Sequence, residues 1–244
     1  MVAYQLTWGK RKSLSIMVGR DGAVHVKAPN GLPKYKIDQL VQRKAGWIEK
    51  KRAEVCLLEQ KIPAHSFQEG DHFLIFGEAY RLVFCNRQSK GSAEVRADQE
   101  NKLLVIGTAD TAPPHIQKEL EGWYIRQAKQ VFPARVSLYY SQVAQMAGRM
   151  GKEIGSVNRI SIRNQKTRWG SCSSKGNLNF NWRLLMAPNE ALDYVVVHEL
   201  CHFAYLDHSK LFWQMVEGVL PGFREQKEWL KANGALLDWE GGAG

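Results

Sequence analysis

A chain of 244 residues, 44% hydrophobic and 24% charged, has a globular composition and enough length for one large domain or two small ones. The opening MVAYQLTWGKRKSLSIMV lacks the continuous apolar stretch of a signal peptide, and no apolar run is long enough to span a bilayer, so a soluble cytoplasmic protein is expected. The net charge is +10, and residues 1–60 alone carry twelve Lys or Arg against five Asp or Glu. Such a field attracts nucleic acid, nucleotides or acidic protein segments, although a solvated basic surface has the same composition. Four scattered cysteines (Cys56, Cys85, Cys172 and Cys201), with no CxxC pair, read as reduced thiols and argue against a disulfide framework or a cysteine zinc site.

In chain order, Leu14, Ile16 and Val18 alternate with polar or flexible residues, Asp21-Gly22 supplies a turn, and Val24 and Val26 alternate again, which predicts a hairpin. From about Lys36 the period becomes helical, with Ile37, Leu40, Val41, Ala45 and Ile48 on one stripe and Arg43, Lys44, Lys50, Lys51 and Arg52 largely off it. Two more strand pairs follow: HFLIF with AYRLVFC across Gly77-Glu78, then AEVRA with KLLVI. The polar, proline-bearing segment GTADTAPPH (107–115) marks the predicted boundary between residues 1–108, a basic β-rich subdomain with one helix, and residues 109–244. Beyond it, Ile116, Leu120, Tyr124, Ala128 and Val131 form an apolar helical stripe that Pro133 should kink or restart, with helix to about Met150. Short strands near Arg159–Arg163 and Leu178–Trp182 precede a helix entered at Pro188, a residue suited to a first helical position. The expected class is α+β.

The stretch DYVVVHELCHFAYLDHSKLFW carries the chemistry. His198-Glu199-Leu200-Cys201-His202 is an HExxH motif, and residues four apart on a helix share a face, so both imidazoles can reach one metal. The intervening Glu199 is then placed to take a proton from water at that metal. Leu192, Val195, Val196, Leu200 and Phe203 can pack inward and anchor the helix. A hydrolytic zinc site takes three protein ligands and leaves one position open. His208 is the expected third ligand, which requires Leu206-Asp207 to turn the chain back, with Asp207 as a plausible N-cap of the next helix; Glu217 and Glu225 are the rivals. The spacing is that of HExxHxxGxxH, but Tyr205 stands at the glycine position and no Met-turn follows, since Met215 falls inside a predicted helix. Arg168 can neutralise substrate charge, and Tyr205 can donate to an oxyanion or simply pack. Trp169, Gly170 and Cys172 read as core, tight turn and small buried residue.

The run RWGSCSSKGNLNFNWRLLMAPNEALDYVVVHELCHFAYLDHSKLFW (168–213) resembles the YgjP-like metallopeptidase family, related to the SprT and WLM zincins. The basic SLSIMVGRDGAVHVKAP opening and the GEAYRLVF hairpin also fit that family, and RWGSC and the HExxH helix are its most specific parts. The resemblance implies a zincin-like helical domain with a small antiparallel sheet, zinc bound by His198, His202 and His208, and Glu199 as the catalytic residue cleaving peptides or proteins. Nucleoside triphosphate (UTP) pyrophosphatase activity has also been attached to the family, but the chain has no P-loop and no carboxylate cluster suited to magnesium and a triphosphate. By analogy with SprT relatives, the basic first third would bring a hydrolase to nucleic acid.

Overall fold

The structure is a computed structural model that describes residues 2–19, 22–59, 65–85, 93–165 and 167–239, apart from the side chains of 54–59. It is α+β, as expected, and divides into two compact units, residues 1–64 with 238–244 and residues 65–237.

In the first unit, β1 (Gln5–Gly9), β2 (Ser15–Val18) and β3 (Val24–Pro29) form a sheet in the order β1-β3-β2. The alternation in β2 and β3 sets their antiparallel register, Ile16 opposite Val26, while β1, which the sequence did not signal, pairs parallel to β3. Asp21 of the predicted turn lies outside the described residues; Gly22 adopts φ +72°, the left-handed conformation that favours glycine. The single predicted helix is two, α1 (Lys34–Arg43) and α2 (Ala45–Glu59), separated at Lys44. Ile37, Val41 and Ile48 are buried with Val24, Val26 and Ala28, whereas Leu40 is exposed. The stripe therefore continues across the break, which is why periodicity alone did not reveal it.

The second unit begins with β4 (His72–Ile75), β5 (Glu78–Cys85), β6 (Glu94–Asp98) and β7 (Leu103–Gly107). Both predicted hairpins form, and a parallel β5–β7 pairing joins them into the order β4-β5-β7-β6. Segment 107–115, expected to separate domains, instead connects β7 to α3 (Pro113–Arg149) within this unit. Helix α3 runs unbroken through Pro133. Tyr124, Ala128 and Phe132 before the proline and Val136, Val143 and Ala147 after it are all buried, Phe132 stacks on Phe180 at 4.5 Å, and the exposed proline ring points away from that core. Packing on both sides of Pro133 keeps the helix from ending or restarting there.

A second, mixed sheet has the order β8-β10-β9: β10 (Asn177–Asn181) pairs antiparallel with β9 (Gly170–Cys172) and parallel with β8 (Arg159–Arg163). A 3-10 helix, Trp182–Met186, leads into α4 (Asn189–Cys201), with Pro188 at the N-cap, one residue before its expected place. The β4–β5 hairpin holds this entry: Phe76 and Gly77 N–H groups donate to Leu185 O and Met186 O at 2.7 and 3.1 Å. Helices α5 (Lys210–Val219) and α6 (Phe223–Asn233) complete the unit. The N-cap of α5 is Ser209, whose hydroxyl accepts from Phe212 N–H; Asp207, expected in that role, accepts instead from Ser209 N–H. Cys85, Cys172 and Cys201 are free thiols, while the side chain of Cys56 lies outside the described residues. Among the described residues, no helix is long and apolar enough to cross a membrane.

Candidate metal centre

Helix α4 is buried along most of its length: Val195, Val196, Val197, Leu200 and Cys201 are all in the core. Polar contacts fix it against α3. Arg135 donates to Asp193 Oδ2 at 3.0 Å and to Asn189 Oδ1 at 2.9 Å, and Tyr139 donates to the same Asp193 oxygen at 2.9 Å. The last turn of α4 therefore has a fixed position, and it carries His198, Glu199 and, at the C-cap, His202.

After His202 the chain reverses through 203–208 and brings back His208 just before α5. One ligand atom from each of His198, His202 and His208 lies within 4.8 Å of the others, and His198 Nε2 and His208 Nε2 are 3.0 Å apart. A tetrahedral ion with bonds of about 2.1 Å has ligands about 3.4 Å apart, a value between these two distances. The rival glutamate Glu217 is instead paired with Arg224 at 2.5 Å, and neither it nor Glu225 joins the cluster.

The protonation pattern fits a ligand set. His202 Nδ1 donates to the Tyr205 carbonyl at 2.9 Å, which fixes the tautomer and leaves the Nε2 lone pair free. Burial, with the neighbouring His202 and His208, pushes His198 down to about 3, so it stays neutral as a ligand must. Its Nδ1 is buried without a hydrogen-bond partner, which leaves Nε2, facing His208, as the nitrogen aimed at the cluster. Phe212 lies beneath all three imidazoles, with centroid distances of 5.0, 4.7 and 4.9 Å, and forms an apolar floor.

Glu199 is only 5% exposed. Burial raises its carboxyl to about 7, against the opposing influence of Arg168 and of the Cys172 N–H donated to it. Strand β9 passes so close that a Cβ on Gly170 would stand 2.7 Å from Glu199 Oε1. The glycine of RWGSC therefore serves a close approach rather than a turn. Trp169 packs on the backbone of Gly234, where a Cβ would meet its ring at 2.8 Å, and Cys172 is half-buried with its thiol pushed up to about 11 by burial and by Glu199. Arg168 is exposed and acts on Glu199 through its charge. Tyr205 contributes its carbonyl to His202, and its ring lies under Lys152 Nζ at 5.6 Å.

Sequence reasoning passed over Asn181 and Tyr194. Buried Asn181 takes Arg183 N–H on Oδ1, donates Nδ2 to Gln165 O at 2.7 Å and donates its N–H to Trp169 O at 2.8 Å, so it pins the segment that leads into β9. The sequence carried no signal for it, because Asn181 alternates with Leu178, Phe180 and Trp182 as a solvent-facing strand residue would. Tyr194 sits edge-on to His198 at 5.8 Å and stacks on Phe223.

No curated protein sequence matches the chain. Among solved structures, the chain is similar to the metallopeptidase zymogen of Pyrococcus abyssi abylysin, with 24% identity over 40% of this chain and 93% of that one and a TM-score of 0.33. The model of the YgjP-like metallopeptidase domain matches residues 12–233. With nearly the whole chain matched, this protein belongs to the YgjP-like metallopeptidase family.

Proposed function

We propose that the protein is a zinc-dependent peptidase in which His198, His202 and His208 hold the metal and Glu199 is the general base. The observation that carries this reading is the convergence of three imidazoles beside the buried carboxylate of Glu199. A set of three imidazoles suits zinc, which in hydrolases keeps its fourth position for water. Such an ion supplies Lewis acidity, polarising a carbonyl and acidifying water. Glu199 takes the proton of the attacking water and hands it to the leaving amine. Gly170 and the Cys172 N–H hold that carboxylate in place, and Arg168 favours its ionised form. Arg168 and Tyr205 are the side chains assigned to substrate.

The test is hydrolysis of casein by the purified protein beside Glu199→Gln, with UTP assayed in parallel. The proposal predicts that the variant keeps its metal and loses about 100- to 10,000-fold in casein turnover. Retained peptidase activity in a metal-loaded Glu199→Gln protein would remove Glu199 from its role. Metal-dependent release of phosphate product from UTP, with casein untouched, would replace the peptidase by a nucleotide pyrophosphatase.

A further inference from the structure

The sheet that carries β9 beside Glu199 has a second edge. Strand β8 pairs with β10 on one side, and among the described residues no strand lies on its other side. A groove of about 270 Å³ follows that edge, lined by all five residues of β8 together with Lys129 and Pro133 of α3. Successive side chains of a strand point to opposite faces, so a cavity touched by five consecutive residues lies along the strand's edge and not over one face. The lining is one-sided in charge: Arg159, Arg163 and Lys129 contribute three cations, and no lining residue is acidic. Pro133 has no N–H to give Lys129 O its helical bond, so the α3 wall of the groove contains one carbonyl without that bond.

From this edge and its charge we infer that the groove binds an extended, acidic protein segment, which adds to β8 as a further strand and places its carboxylates against Arg159, Arg163 and Lys129. Main-chain pairing supplies the affinity and the three cations select the sequence. The occupant is a protein segment held three strand spacings, roughly 14 Å, from β9. Binding here does not depend on hydrolysis, so it stands or falls apart from the assignment of Glu199.

The probe is a fluorescent peptide alternating Glu with Val and Thr, read by anisotropy against the full chain, beside a Lys-for-Glu counterpart and a version N-methylated at alternate amides. The inference predicts saturable, salt-sensitive binding of the acidic peptide alone. Affinity should fall about tenfold in Arg159→Glu/Arg163→Glu and measurably in Lys129→Glu, and should be unchanged in His202→Ala. Should the double variant fail to fold, Lys129→Glu and the N-methylated probe still decide. Equal binding of the N-methylated peptide would overturn strand addition. Affinity indifferent to all three cations, or lost in a folded His202→Ala protein, would overturn the site. Preferential capture of a single-stranded oligonucleotide by the same cations would replace a protein occupant with nucleic acid.

Discussion

Gly170 and Glu199 make a tight approach at the centre of the site, with no room for a methyl group between β9 and the carboxylate. Gly170→Ala must therefore displace the Glu199 side chain, the strand or both. Because the His cluster stands on α4 and the following loop, the substitution should leave metal content intact. Casein turnover is expected to fall about 10- to 100-fold, because a displaced base loses its alignment. Unchanged turnover with full metal occupancy would show that Glu199 has room to adjust. At this scale much was legible: the HExxH spacing predicts His198 and His202 on one helical face, and His208 was identified from distance along the chain. The purpose of Gly170 was not legible, because its partner lies 29 positions away and no local pattern announces a close approach. The N-cap of α5 was misplaced by two residues, Asp207 for Ser209, because either residue type can cap and only the turn geometry decides.

Among the elements, α3 and α4 fix the site together. The Arg135–Asp193–Tyr139 contacts tie the helix of the His cluster to a 37-residue neighbour that continues through a proline. That proline is a local cost accepted by the packing around it. Pro133→Ala restores the N–H to Lys129 O, removes the ring clash and, at an exposed position, disturbs no core contact. Thermal unfolding should show the variant more stable by about 1 kcal/mol. A destabilised variant would mean that the ring itself supports β8. Helix and strand positions were mostly readable from periodicity, as β2, β3 and the two hairpins show. The parallel partners β1–β3, β5–β7 and β8–β10 were not, since parallel pairing joins segments distant in sequence and leaves no turn signature between them.

Across the whole molecule, charge and chemistry are unevenly placed. The first unit holds most of a basic stretch with twelve Lys or Arg in residues 1–60, and the second holds the His cluster. We propose that the basic unit associates with nucleic acid through Arg43, Lys44, Lys50 and Lys51. Binding to a short oligonucleotide should weaken steeply with salt and weaken further when these four are replaced by alanine. Absence of binding, or affinity indifferent to salt, would leave them as solvated surface. The division at 64/65 instead of near 108 was hidden because β4–β7 resemble the strands before them in composition, while their packing partners α3 and the 3-10 helix lie later in the chain.

The measurement that bears most directly on the metallopeptidase reading is the metal content of the purified protein beside His202→Ala. Three converging imidazoles predict about one zinc per chain in the wild type, lost in the variant, because two remaining ligands hold zinc poorly. A wild-type protein that takes up no zinc even after reconstitution would contradict the account, leaving the histidines of α4 as packing for the helix.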